Sequence, residues 1–227
     1  MVSPWLRFFA LALCLAPGLA LAQAESVRPG VNRNYENPDY DRWRSVFERP
    51  GREVFDRRFD IVQALDLKSG ERVADVGAGT GLFTLLFARV VGDKGKVYAV
   101  DISRTFVDKV VERAAKEGLS QVVGVVNDPR SVQLQDASVD LVFVCDTYHH
   151  FEYPADTLRS IHRALRPGGQ LVIIDFRRRE GVSTSWVMSH VRAGREMVVK
   201  EVEAQNFRLQ DDSPLLRGNY FLRFVKH

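Results

Sequence analysis

Short apolar runs alternate with amphipathic segments along most of this chain. The apolar runs predict five buried strands, at 72–76, 96–100, 121–126, 139–145 and 170–175. The amphipathic segments predict helices at 52–65, 80–91, 103–116, 154–165 and 192–205. Regular alternation of strands and helices is typical of a doubly wound α/β fold with a mostly parallel sheet.

The end of the chain follows a different pattern. Residues 207–209 and 219–225 show the alternating apolar positions of a terminal antiparallel pair. Together with the five earlier strands they predict a seven-stranded sheet. Because the chain shows neither an internal repeat nor a linker after residue 50, residues 51–227 are interpreted as one domain.

The N-terminus is read as a targeting segment. Residues 8–21 are apolar, they follow Arg7, and small residues at Ala20, Ala22 and Ala24 form two Ala-x-Ala sites. We predict a cleaved secretory signal over residues 1–22, with cleavage after residue 24 as a second choice, and a periplasmic or secreted mature protein. An uncleaved membrane anchor is the alternative. Cleavage removes Cys14 and leaves Cys145 alone, so an intramolecular disulfide is not expected.

Residues 23–50 form a polar arm with scattered aromatic side chains. Within it, residues 40–47 are predicted to form a short helix with Trp43 and Phe47 on one face. Two interpretations stay open: the arm packs over the sheet, or it is a lid that covers a cleft and excludes water.

Composition narrows the class of partner. The 227 residues are 45% hydrophobic and 27% charged, as expected of a globular α/β protein. The formal net charge of +3 is spread along the chain. Nucleic-acid binders usually concentrate basic residues on one face, so no nucleic-acid partner is expected.

A glycine-rich turn between the first strand and the second helix carries the most specific chemistry. Gly77, Gly79 and Gly81 allow the backbone to approach a ligand at the start of a helix. The dinucleotide fingerprint needs its third glycine one position later, where Leu82 stands, so an NAD-type oxidoreductase is disfavoured. Asp101 ends the second predicted strand and can accept hydrogen bonds from ribose hydroxyls.

These motifs resemble those of the class I S-adenosylmethionine-dependent methyltransferases, over about residues 55–226, here in what would be an exported bacterial member. The resemblance implies a Rossmann-like fold, S-adenosylmethionine as cofactor and methyl transfer as the reaction. It also implies that Asp101 binds the ribose, that Ile102 packs on the adenine and that Asp128 reads the adenine amino group. The cofactor-binding residues implied in this way are Asp75, Gly77, Ala78, Gly79, Thr80, Gly81, Asp101, Ile102, Asp128 and Pro129. Asp146, at the end of the fourth predicted strand, is added to this set because its negative charge suits a positively charged ligand.

The segment after the fourth strand holds the catalytic candidates. His149 or His150 could act as a general base near neutral pH, and Tyr148 could orient the acceptor. Adjacent histidines on a loop usually point in different directions, so only one is expected to face the pocket. A structural hydrogen-bonding role is the alternative for both. A metal site is not expected, because no other His or Cys stands at ligand spacing.

The acceptor is predicted to be a small molecule or a lipid-like molecule, with peripheral membrane association left open. Three arginines at 177–179 either form a solvated charge run or attract an acidic acceptor at the rim of the site. A non-catalytic S-adenosylmethionine-binding module is the main alternative function.

Overall fold

The computed structural model describes Gln23 and residues 25–227, and its centre is one seven-stranded sheet. The strand order is β3-β2-β1-β4-β5-β7-β6. β7, the last strand in the chain, lies between β5 and β6 and runs antiparallel to both. The predicted α/β fold with a mostly parallel sheet is confirmed. The strands are β1 (Arg72–Val76), β2 (Lys96–Asp101), β3 (Val122–Val126), β4 (Val139–Cys145), β5 (Leu165–Phe176), β6 (Phe207–Ser213) and β7 (Asn219–Lys226).

The helices follow the predicted order with three differences. The predicted helix at 52–65 is divided at Arg57, and α1 and α8 occupy segments for which the pattern predicted no element. Thr184 caps α8 by accepting a hydrogen bond from the Val187 N–H. The helices are α1 (Arg33–Glu36), α2 (Tyr40–Phe47), α3 (Glu53–Asp56), α4 (Arg58–Leu65), α5 (Leu82–Val91), α6 (Arg104–Lys116), α7 (Pro154–Ala164), α8 (Ser185–His190) and α9 (Arg195–Glu203). A 3₁₀ turn spans Tyr148–His150.

Both faces of the sheet are buried. In β4, Leu141 and Phe143 face a core that includes residues of α4, α5 and α6, whereas Val142 and Val144 face a second core that includes residues of α7 and α9. This two-sided burial explains why the central strands are continuous apolar runs. Because both faces of the sheet are buried, polar side chains collect at the edge formed by the carboxyl ends of the parallel strands.

The arm, residues 23–50, lies in the described part of the chain except for residue 24. α2 has the predicted bounds, and it lies against α6 beside the carboxyl ends of β1 and β2. The predicted signal at residues 1–22, including Cys14, falls outside the described residues. Across residues 25–227, no helix has the length and apolarity that crossing a membrane requires.

Candidate functional site

A cavity of about 1000 Å³ opens at the carboxyl ends of β1, β2, β4 and β5. The arm and the segment from residue 177 to residue 190 form its other walls. This is the ordinary ligand position in an open α/β sheet, and the volume is sufficient for a nucleoside-sized molecule with a second small molecule beside it.

Gly77 and Gly79 of the glycine turn line one half of this cavity, whereas Gly81, also predicted to bind the cofactor, does not border it. Gly77, Gly79 and Gly81 have φ values of 76°, 53° and 86°, in the region that favours glycine. A Cβ on Gly77 would lie 2.3 Å from Oγ1 of Thr147, and one on Gly81 would lie 2.8 Å from Cγ2 of Val110. Positive φ and close packing together therefore require glycine at both positions.

Asp101 lies beside this turn, and its carboxylate already accepts two hydrogen bonds from backbone N–H groups. Oδ2 accepts a hydrogen bond of 2.8 Å from the Gly79 N–H, and Oδ1 accepts one of 2.9 Å from the Ser103 N–H. Burial raises the pKa of Asp101 to about 6, against the opposing effect of these backbone donors. Since a carboxylate offers about four acceptor sites, both oxygens keep capacity for a ligand hydroxyl.

Some of the other predicted cofactor residues line the cavity, and others also connect neighbouring elements. Ala78, Thr80, Ile102, Asp128 and Pro129 all line the cavity. Asp75 also borders it, but its carboxylate accepts a hydrogen bond of 2.6 Å from the Thr84 hydroxyl in α5. Burial raises the pKa of Asp75 to about 7. Asp75 thus ties β1 to the helix that follows the glycine turn.

The carboxylates of Asp128 and Asp146 both have hydrogen-bond partners within the protein: those of Asp128 come from its own loop, and those of Asp146 from distant segments. Oδ1 of Asp128 accepts a hydrogen bond of 2.7 Å from the Arg130 N–H, and its other oxygen contacts the Gln133 amide. Asp146, with a φ of 49°, forms an ion pair of 2.7 Å with Arg52 and accepts a hydrogen bond of 2.6 Å from the Asn219 amide. Arg52, which the sequence did not single out, thereby joins the start of the domain to the end of β4.

Aromatic side chains of the arm form a row over the cavity. Ring centroids are 5.0 Å apart between Phe47 and Trp43, 4.9 Å between Trp43 and Tyr35, and 5.1 Å between Tyr35 and His150. Phe47 lies against Gly79 at one end. The row therefore extends from the glycine turn to the predicted catalytic segment.

Polar contacts fix the same arm to the glycine turn. Oε1 of Glu48 accepts hydrogen bonds from the Thr80 hydroxyl at 2.9 Å and from Nη1 of Arg113 at 2.7 Å. The Tyr40 hydroxyl donates to the Thr80 carbonyl at 3.0 Å. Sequence reasoning missed Glu48 and Arg113, because they are 65 positions apart and each occurs in an ordinary charged segment.

The two predicted catalytic histidines both border the cavity, contrary to the expectation that only one would face it. The 3₁₀ turn brings their ring centroids to 4.4 Å from each other. Nδ1 of His149 lies 2.8 Å from Oδ1 of Asp175, near the end of β5. Because a carboxylate accepts and does not donate, Nδ1 carries the proton and Nε2 is left as an acceptor.

The two rings differ in their electrostatic surroundings. Burial alone would lower the pKa of His149, but the Asp175 carboxylate outweighs it and raises that pKa. Burial and the neighbouring imidazoles lower the pKa of His150 to about 3, so His150 is neutral at physiological pH. An acidic residue close to the end of a predicted strand was the available sequence signal for Asp175.

Tyr148 does not reach the cavity. Its side chain is fully buried, and its hydroxyl donates a hydrogen bond of 2.7 Å to Glu201 in α9. The turn directs this residue into the core while its two neighbours line the pocket. This position does not support the predicted role of Tyr148 in orienting an acceptor.

A third histidine joins the pair from α8. Nε2 of His190 lies 3.3 Å from Nε2 of His150, although the residues are 40 positions apart. The expectation of no metal site rested on the absence of a further His or Cys at ligand spacing along the chain. The fold removes that reason, because it brings His190 to the other two rings.

The segment from residue 176 to residue 190 brings four apolar side chains to another wall of the cavity, beside polar ones. Phe176, Val182, Trp186 and Val187 border it, and the Val182 and Trp186 side chains are 77% and 51% exposed at its mouth. Of the three predicted arginines, Arg177 and Arg179 border the cavity. Arg178 turns away and donates to the Met188 carbonyl at 3.3 Å.

Comparison with known proteins matches the central part of this chain to a methyltransferase domain. Residues 74–173 match the family described as a methyltransferase domain. The ubiquinone/menaquinone biosynthesis C-methyltransferase of Azotobacter vinelandii is 31% identical over 121 residues, which make up 53% of this chain and 47% of that protein. The chain therefore spans about half the length of the curated relatives it matches.

Solved structures match a larger share of this chain than the family and the curated relative do. An S-adenosylmethionine-dependent methyltransferase from Aquifex aeolicus matches with a TM-score of 0.73 at 26% identity, covering 83% of this chain and 99% of that one. Phosphoethanolamine N-methyltransferase 2 of Haemonchus contortus, solved in complex with S-adenosyl-L-methionine, matches with a TM-score of 0.66 at 18% identity, covering 86% of this chain and 59% of that one. At this lower identity the likeness concerns the fold alone.

Proposed function

We propose that this chain transfers the methyl group of S-adenosylmethionine to an apolar small-molecule or lipid-like acceptor. The family and structure matches support a class I S-adenosylmethionine-dependent methyltransferase with this cofactor, and the proposal starts from them. The observation that carries the proposal is a single cavity that joins the glycine turn and Asp101 to an apolar half lined by Phe176 and Trp186.

The half of the cavity that contains the glycine turn and Asp101, here called the donor half, fits the cofactor. Asp101 keeps acceptor capacity for ribose hydroxyls, and the glycine turn leaves room for a ligand against its backbone. Ile102 and Asp128 border the same half and are assigned to the adenine. When bound, the cofactor supplies a methyl group on a positively charged sulfonium, and the carboxylates along the strand ends favour a cation there.

The half of the cavity that is lined by Phe176 and Trp186, here called the acceptor half, favours an apolar molecule. The methylated group of that molecule would carry a proton that a base can remove. The exposed Val182 and Trp186 side chains at its mouth would contact the apolar part of the molecule. A quinone-like ring is one chemistry that suits these aromatic walls, as the name of the Azotobacter vinelandii relative suggests. Because the arm covers the cavity, it would exclude water and align the two reactants.

His149 is the better placed of the two predicted bases. Asp175 fixes its ring, holds the proton on Nδ1 and would stabilise the imidazolium that forms when Nε2 takes an acceptor proton. His150, with its pKa lowered to about 3, is too weak a base for that step near neutral pH. We assign His150 to binding rather than to proton transfer.

Export is a further part of this proposal, and it rests on residues 1–24 of the sequence alone. Mass spectrometry of the mature N-terminus, combined with protease accessibility in spheroplasts, separates a cleaved signal from a retained anchor. A mature protein that begins at residue 1 and resists external protease would contradict export.

The test combines binding with turnover. Calorimetry of the full chain should show binding of S-adenosylhomocysteine and no comparable binding of NAD. Methyl-labelled cofactor should then label an apolar component of an envelope extract or a soluble quinol analogue. Tight NAD binding would overturn the proposal in favour of an oxidoreductase. Binding of S-adenosylhomocysteine without labelling of any acceptor would instead favour the non-catalytic binding module.

A further inference from the structure

Three imidazoles from two separate elements meet on the apolar side of the cavity. His149 and His150 come from the 3₁₀ turn after β4, and His190 comes from the last residue of α8. One ring nitrogen from each residue lies within 4.8 Å of the other two. Within the described residues this is the cluster whose side chains have the types and spacing that ligate a metal ion.

The distance between two of these nitrogens matches metal coordination. Nε2 of His150 and Nε2 of His190 are 3.3 Å apart. Two imidazoles bound to Zn²⁺ at about 2.0–2.1 Å in a tetrahedral arrangement have their nitrogens about 3.4 Å apart. A direct hydrogen bond between two neutral rings also fits the distance, so the distance alone does not assign the site.

The surroundings of His149 provide a second, independent observation. Nδ1 of His149 is held by Asp175, so the remaining nitrogen is the one available to a metal. A carboxylate that receives the distal N–H of a histidine is the usual outer shell of a protein metal site, because it fixes the ring and raises its basicity. The Asp175 carboxylate also accepts the His149 backbone N–H at 3.0 Å, which restrains the whole residue.

Local charge also suits a divalent cation. Arg28 is the cation near the cluster, and its guanidinium contacts the carbonyls of Ser189 and His190. Two carboxylates, those of Asp175 and Asp146, lie close enough to His149 to act on its charge and offset that of Arg28.

We propose that His149, His150 and His190 form a site for a divalent transition-metal ion of the zinc class. Three protein ligands leave one tetrahedral position open, as in catalytic rather than structural zinc sites. All three residues line the cavity, so this position is accessible to a molecule in its apolar half. The site does not depend on the proposed methyl transfer. If both hold, the ion would occupy Nε2 of His149, and the lowered pKa of an acceptor hydroxyl bound to the ion would take the place of proton transfer to that nitrogen.

The test uses full-length protein from which any polyhistidine tag is absent. Calorimetric titration with ZnCl₂, and competition against a chromogenic chelator, should show one high-affinity ion per chain. His190→Gln should lower the affinity at least tenfold. Asp175→Asn should lower it by roughly 10- to 100-fold, as removal of outer-shell partners does in other metal sites. His227→Gln, at the exposed C-terminus, is the matched control and should leave the affinity unchanged.

Two results would overturn the proposal. If His227→Gln and His190→Gln weaken zinc binding equally, the ion is bound elsewhere. If wild-type protein shows no detectable zinc binding, the three histidines are a hydrogen-bonded cluster. Circular dichroism and binding of S-adenosylhomocysteine by each variant confirm that it is folded. Because that second measurement reports the donor half, failure of the metal site can be distinguished from failure of the proposed function.

Discussion

The carboxylate of Asp101 connects the end of β2 to the glycine turn, through a hydrogen bond of 2.8 Å from the Gly79 N–H to Oδ2. The same side chain therefore shapes the turn and faces the cavity. Its second oxygen, which accepts from the Ser103 N–H, also fixes the start of α6. Binding of a ribose at Asp101 would consequently be coupled to the order of both neighbouring segments.

Asp101→Ala is expected to weaken binding of S-adenosylhomocysteine. Hydrogen bonds to a charged acceptor contribute about 1.5–3 kcal/mol each, so losing ribose contacts should lower the affinity by roughly 10- to 100-fold. Asp136→Asn is the control, since the Asp136 side chain is 76% exposed and outside the cavity. Calorimetry at constant ionic strength measures both. An unchanged affinity in Asp101→Ala would remove Asp101 from the cofactor site.

Affinity for S-adenosylhomocysteine should also depend on pH. The pKa of Asp101 is raised to about 6 by burial, and the ionised form is the better acceptor for ribose hydroxyls. As the pH falls below 6 the carboxyl takes up a proton, so the affinity should fall by about tenfold per pH unit. Asp101→Asn should abolish this dependence. A dependence that persists in the variant with a midpoint near 7 would point instead to Asp75.

Gly77→Ala is expected to destabilise the fold by about 3 kcal/mol, because left-handed backbone strain and overpacking add together. The new Cβ would lie 2.3 Å from Oγ1 of Thr147. Gly118→Ala is the matched control: its φ of 73° is similar to the 76° of Gly77, but no atom lies within 4 Å of its added Cβ. It should cost about 1 kcal/mol from backbone strain alone.

Urea unfolding followed by circular dichroism measures both glycine variants. Adding Thr147→Ala to Gly77→Ala removes Oγ1 and Cγ2, the two atoms nearest the new Cβ, and should recover part of the lost stability. Equal losses in Gly77→Ala and Gly118→Ala would show that Thr147 does not constrain the turn.

Glu48→Ala distinguishes a lid from an arm that only packs over the sheet. Glu48 bridges Thr80 and Arg113, so a lid that lacks it should open more often and release S-adenosylhomocysteine about five- to tenfold faster. Asp41→Ala, at an exposed residue of α2, should leave the release rate unchanged. Stopped-flow displacement, with intrinsic tryptophan fluorescence as the signal, measures both rates. Reduced stability of Glu48→Ala with an unchanged release rate would support simple packing.

Local patterns predicted the fold closely. β4 and α2 have the predicted bounds, because each depends on spacing within a few residues. The break at Arg57 and the six-residue α8 are shorter than the window over which a helical period can be recognised. The sequence also predicted that polar residues would collect at the strand ends, since this follows from the topology once the strands are known.

Contacts between distant residues could not be predicted in the same way. His190 meets His150 across 40 positions, and Glu48 meets Arg113 across 65. No periodic pattern joins either pair, and each depends on how whole elements pack. The direction of Tyr148 was unpredictable for another reason: a single 3₁₀ turn sends consecutive side chains to the core and to the cavity, and the sequence does not fix which residue goes where.

The final prediction tests the structural position of Tyr148 by comparison with Tyr220. Both side chains are fully buried, but the Tyr148 hydroxyl donates to Glu201 at 2.7 Å, whereas that of Tyr220 has no hydrogen-bond partner among the described residues. Removing the Tyr148 hydroxyl takes one hydrogen bond from the partly buried Glu201 carboxylate, which keeps its two contacts with Arg192. Tyr148→Phe should therefore lower the free energy of unfolding by about 1–2 kcal/mol.

Tyr220→Phe should instead be neutral or stabilising, because it removes a polar group that gains nothing from burial. Both variants should bind S-adenosylhomocysteine as wild type does, since neither side chain lines the cavity. Urea unfolding and calorimetry measure the two properties separately. Weaker ligand binding in Tyr148→Phe at unchanged stability would return Tyr148 to the active site, where its place in the sequence first suggested it.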